Sequence, residues 1–134
     1  MPHEDGGAYY PIVATVSLGG AVVLDLYEKG GNGNNDGYGD GVTGRPSPRF
    51  RILQERRSLL VTTGKLYTDF LHGIADSVKD EGLGPEMVCN WDLLRERERY
   101  GSGWLERETR ISLTYRDVIR VAKVGNAMKF LEGR

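Results

Sequence analysis

Apolar residues in this chain fall in short alternating runs separated by glycines. From Pro11 to Leu18, Ile12, Ala14, Val16 and Leu18 alternate with Val13, Thr15 and Ser17, and β-branched residues dominate, which predicts a strand with one well-buried face. Val22, Leu24 and Leu26 repeat the pattern across 21–27, and the intervening Gly19-Gly20 predicts a hairpin turn between two paired strands. Strand character returns at 50–54 and 58–63 and is broken by Gly64. Leu66 with Phe70, and Tyr67 with Leu71, keep an i,i+4 spacing, so one or two helical turns are expected to deliver the chain to His72 at the start of a further strand. The last clear strand is 109–116, where Ile111, Leu113 and Tyr115 face one way and Arg110, Ser112, Thr114 and Arg116 the other. A strand continuation and a basic tail follow over 117–134.

Two stretches lack this periodicity. Residues 29–49 hold seven glycines within 21 positions, too little apolar surface to offset ordering entropy, and read as a flexible Gly/Asn-rich loop; the GK[ST] ending of a phosphate loop is missing. Residues 76–108 read as a polar insertion in which 86–100 forms a short helix edged by Met87, Trp91 and Leu94. The alternating charges from Arg95 to Arg99 fit a solvated helix face better than a nucleic-acid patch. Short strands, glycine turns and inserted loops predict an all-β domain, a sandwich or jelly roll, spanning 1–134 as a single unit.

Composition narrows the function classes. At 134 residues the chain supports one modest core. With 18 basic and 19 acidic residues it has no global pull toward nucleic acid or anionic membrane. The only cysteine, Cys89, excludes an internal disulfide and is expected to be buried or idle. No uncharged apolar run approaches the roughly 18 residues of a membrane span, and no secretory signal is visible, so the expectation is a soluble intracellular protein without a membrane partner.

The chain has only two histidines, His3 in His3-Glu4-Asp5 and His72 in Leu71-His72-Gly73. Two neutral imidazoles and one carboxylate on one face of an octahedral Fe(II) leave positions open for oxygen and a co-substrate. His-x-Asp also arises by chance, and a lone histidine is more often structural or solvated. On a strand, His3 and Asp5 share a face, with His72 arriving from another strand across the mouth of the barrel. An arginine turned into a fold requires an anion, so the polar face of 109–116 implies either a bound carboxylate or buried acidic partners. The Cα atoms of Arg110 and Arg116 lie roughly 20 Å apart at about 3.3 Å per residue, too far for both to grip one small dicarboxylate centrally. Arg110 is therefore favoured as the distal anchor, with Arg116 near the metal end.

His3-Glu4-Asp5-Gly6, the stretch from Tyr10 to Gly19, Ser58-Leu59-Leu60-Val61, Leu71-His72-Gly73-Ile74 and Arg110 to Arg116 together resemble the AlkB family of Fe(II)- and 2-oxoglutarate-dependent dioxygenases. Their order and spacing follow its H-x-D, V-S-L-G, H-G-I and R-x5-R signature. The resemblance implies a double-stranded β-helix in which His3, Asp5 and His72 hold Fe(II), while Arg110 and Arg116 contact 2-oxoglutarate and Ser112 lies between them. It also implies oxidative removal of N-linked methyl groups from alkylated DNA or RNA, in the nucleus, the cytoplasm or both.

The chain departs from the family pattern in two places. The family's Asn-x-Tyr element and substrate lid precede H-x-D, so a domain incomplete at its N-terminus is expected, with His3 weakly held. Ser112 stands where relatives often carry Asn, which removes one donor to the co-substrate. A catalytically incompetent β-domain acting as a binding or regulatory module is the alternative, and the oligomeric state is open.

Overall fold

A computed structural model describes residues 1–29 and 47–120. The 29–49 loop and the 117–134 tail fall largely outside the described residues. Within them the protein is all-β and antiparallel, with one short helix. The elements are β1 (Tyr9–Ser17), β2 (Val22–Glu28), β3 (Phe50–Gln54), β4 (Ser58–Thr63), α1 (Lys65–Thr68), β5 (Phe70–Gly73), β6 (Lys79–Glu81), β7 (Trp104–Glu106) and β8 (Ser112–Val118). They form two three-stranded sheets, β4-β1-β8 and β3-β2-β5, and a two-stranded β6-β7 ribbon.

The expected β1-β2 hairpin does not form, because the two strands are the centres of different sheets. Gly19-Gly20 carries the chain from one sheet to the other. The amides of Leu18 and Gly19 donate to the Ile111 carbonyl, and that of Gly20 donates to Thr109. A Cβ on Gly19 would stand 2.5 Å from both the Thr109 oxygen and the Ile111 nitrogen. The glycine is therefore required by the close approach of the segment leading into β8, not by a two-residue turn.

Register assigns the faces. In the first sheet, Val13, Thr62 and Arg116 share one face with Thr15, Leu60 and Thr114 and with Ser17, Ser58 and Ser112. The opposite face carries Val16 with Leu59 and Leu113, and Ala14 with Val61 and Tyr115. The apolar set is the open one: Leu59 is 64%, Tyr115 58% and Leu113 46% exposed, whereas Ser17 is 1% exposed. This inverts the usual arrangement of a half-buried sheet, because the polar face looks into the fold.

In the second sheet, Val22, Leu24, Leu26, Ile52, Gln54 and His72 share the face turned toward the first, and Val23, Asp25, Arg51, Leu53 and Gly73 share the other. The hydrophobic core lies on that second face. Val23 and Leu53 pack there with Ala21, Leu83, Val88, Leu94, Tyr100 and Leu105. Five of these eight come from 76–108, so the stretch that reads as a polar insertion is the layer that closes the core. The expected helix at 86–100 is replaced by two 3-10 turns, Trp91–Leu93 and Arg97–Tyr100. Met87 of its expected apolar edge is exposed, while Leu94 is buried.

Polar side chains fasten this layer. The Asn90 amide brackets Leu53, accepting from its N–H at 3.0 Å and donating to its carbonyl at 2.9 Å, which satisfies the free edge of β3. Glu55 accepts from the amides of Arg95 and Glu96 at 2.8 and 2.9 Å. Arg107 meets buried Asp80 at 2.6 and 3.0 Å and donates to the carbonyls of Ala75 and Ser77. Cys89 is exposed, and partial desolvation pushes its thiol above the usual range, so little reactive thiolate forms. Among the described residues no helix is long and apolar enough to cross a membrane.

Candidate active site

Register on the facing sides of the two sheets places the histidines and Arg116 toward one end and Arg110 with Gln54 toward the other. His3 and His72 are backbone partners: each amide donates to the other's carbonyl at 2.9 Å, forming an isolated antiparallel bridge at the end of β5. His72 comes from another strand, β5, and its ring centre lies 4.5 Å from that of His3, the rings inclined at 57°. His3 Nδ1 lies 3.3 Å from the Met1 carbonyl. A carbonyl only accepts, so Nδ1 carries the proton in that bond and Nε2 of neutral His3 keeps its lone pair. Burial, reinforced by His3, lowers the His72 pKa, which favours the neutral imidazole that a metal requires.

The segment holding His3 makes contacts at successive residues. Pro2 packs on Gly73, where a Cβ would stand 3.2 Å from the Pro2 Cα. Glu4 pairs with Lys29, whose ammonium also donates to the Thr68 carbonyl at 2.7 Å. Asp5 meets Arg116 at 2.6 Å with only 10% of its side chain exposed. Arg116 therefore sits at the histidine end with an acidic partner, the second of the two outcomes that an inward arginine allows.

Among the described residues no three His, Cys, Asp or Glu side chains are gathered into a metal-holding set. The imidazoles are together, while Asp5 Oδ1 is drawn to Arg116. The donor chemistry nonetheless fits a divalent ion. Two imidazoles bound cis at metal–nitrogen distances of about 2.1 Å place their ring centres roughly 4.5 Å apart. Asp5 Oδ2 has no hydrogen-bond partner among the described residues. Two imidazoles thus stand side by side, with a carboxylate two residues from His3 on the same segment.

Arg110 stands at the other end of the facing sheets, beside Gln54. Its Nη1 donates to Ser112 Oγ at 2.5 Å and its Nη2 to Gln54 Oε1 at 2.9 Å, while Nε is buried without a partner. Arg51, Arg107 and Arg116 each meet a carboxylate; Arg110 meets none among the described residues. Burial alone lowers its pKa, though not far enough to discharge a guanidinium. A partly buried positive group held by neutral oxygens keeps its charge free to attract an anion. Ser17 Oγ also donates to Gln54 Oε1, at 3.3 Å. Gln54 was not among the sequence candidates. Its only signal is parity: it shares a face with Ile52, where an apolar residue would be expected.

No family model matches the chain. It is similar to the Probable RNA/DNA demethylase ALKBH6 of Danio rerio, with 32% identity over 123 residues that make up 92% of this chain and 49% of the relative. The chain thus spans about half the length of the curated relative it matches. The likeness runs over nearly the whole of an all-β chain.

Proposed function

We propose that this chain carries the catalytic core of an Fe(II)- and 2-oxoglutarate-dependent dioxygenase of the AlkB type, acting on N-alkylated DNA or RNA. In this reading the facing sheets are parts of a double-stranded β-helix, and the branch represented by the demethylase relative is its place in the family. The single observation that carries the proposal is the placement, on the facing sides of the two sheets, of a histidine pair toward one end and an arginine that meets no carboxylate among the described residues toward the other. A five-carbon dicarboxylate bound by its keto-acid end near the histidines would offer its distal carboxylate to Arg110.

His3, Asp5 and His72 would hold the metal, with Arg116 orienting Asp5 through the 2.6 Å pair. When bound, Fe(II) supplies the activation of oxygen that protein side chains do not perform. The chain's own residues favour the neutral form of His72, turn Nδ1 of His3 to the Met1 carbonyl, fix the carboxylate of Asp5, and hold Arg110 ready for the co-substrate. Ser112 would share in that site through the hydroxyl that accepts from Arg110. A nucleic-acid substrate accords with the relative's printed activity, and a nuclear or cytoplasmic location with such a substrate.

Succinate formation from 2-oxoglutarate in the presence of Fe(II), oxygen and a methylated oligonucleotide tests this reading. The expected result is succinate and formaldehyde in wild type and neither in His72→Ala. Metal-bound, folded protein that forms no succinate with or without oligonucleotide would favour the alternative, a β-domain serving as a binding module. The open apolar face of the first sheet is the observation that speaks for that alternative.

A further inference from the structure

The partner that holds Arg110 is neutral, and its orientation is unambiguous. Arg110 Nη2 and Ser17 Oγ both converge on one atom of the Gln54 amide. A guanidinium nitrogen donates and never accepts, so the atom it meets is the amide oxygen; the flipped amide would set NH2 against NH2. Gln54 itself is 3% exposed and sits on β3, in the sheet facing β8. Arg110 is therefore positioned from the opposite sheet by Gln54, and from its own segment by Ser112, without losing its charge to either.

We propose that Gln54 is the positioning residue for carboxylate selection: its neutral amide oxygen fixes the guanidinium of Arg110 while leaving the positive charge for the distal carboxylate of a dicarboxylic keto acid. This rests on the proposed co-substrate reading. The alternative acceptor at this position, a carboxylate, would hold Arg110 at least as firmly but would neutralise it, as Asp25, Asp80 and Asp5 do for Arg51, Arg107 and Arg116. Orientation and anion affinity thus separate chemically at one side chain. Glutamate and glutamine have nearly the same shape, so the separation can be tested without a cavity.

The test measures binding of 2-oxoglutarate and of the monocarboxylate 2-oxobutyrate to the full chain loaded with Mn(II), by calorimetry, alongside melting temperature. Wild type is expected to prefer 2-oxoglutarate. Gln54→Glu is expected to keep or raise the melting temperature, to weaken 2-oxoglutarate binding roughly tenfold to a hundredfold, and to leave 2-oxobutyrate unchanged. Gln54→Leu, which orphans Arg110 Nη2, is expected to lower both melting temperature and 2-oxoglutarate affinity. If wild type prefers 2-oxoglutarate and Gln54→Glu retains that preference, the role of Gln54 is overturned while the co-substrate reading stands. Loss of affinity for both keto acids in Gln54→Glu, in proportion to a fall in melting temperature, also overturns it. Wild type that binds neither keto acid overturns the co-substrate reading itself.

Discussion

Arg110, His3 and His72 were legible as candidates in the sequence because their side chains are chemically scarce in such places: two histidines in the whole chain, and an arginine at alternate positions of an apolar strand. Gln54 was not, since a glutamine at the end of a strand reads as surface until register places it inside. Tyr100 shows the same limit. In the sequence it follows a charged run, yet it is 1% exposed, and burial together with the nearby charge of Glu55 pushes its phenol up to about 12. The unfolded phenol titrates near 10, so the folded chain holds this proton more tightly. The resulting stability is fully present below pH 10 and lost as pH rises through about 12. Urea midpoints between pH 9 and 11.5 are expected to fall, and to fall less steeply in Tyr100→Phe; parallel slopes would contradict this account of Tyr100.

At the scale of elements, β3 and β4 are legible to the residue, because alternation and a breaker at Gly64 define both. The pairing of β1 with β2 was not: Gly-Gly fits a hairpin turn and a crossing between sheets equally well, and only the approach of 109–111 separates the two. The layer over the core was also hidden. Leu83, Val88, Leu94, Tyr100 and Leu105 recur at five or six residues, a spacing that matches neither the strand nor the helix period. The Gly19 crossing ties directly to the site, because the backbone it touches carries Arg110. Gly19→Ala should displace that backbone, cost about 1–3 kcal/mol as overpacking does, and weaken 2-oxoglutarate binding. Chemical denaturation and calorimetry on the same variant check both effects; unchanged binding would mean that Arg110 does not depend on the crossing.

Across the whole molecule, the polar surface of the first sheet is turned inward and its apolar surface outward, while the second sheet supplies the greasy core on its far side. An ordinary β-domain would keep the space between its sheets apolar; here buried Val13, Val22 and Leu26 share that side with Ser17, Gln54, Arg110, Arg116 and the histidine pair. The central claim is that these residues bind a divalent metal and a dicarboxylic keto acid together. Anaerobic addition of Fe(II) and then 2-oxoglutarate to the folded chain tests it most directly. The account predicts a weak visible charge-transfer band that requires both additions and is absent in His72→Ala. Folded wild-type protein that develops no such band at saturating Fe(II) and 2-oxoglutarate would contradict it.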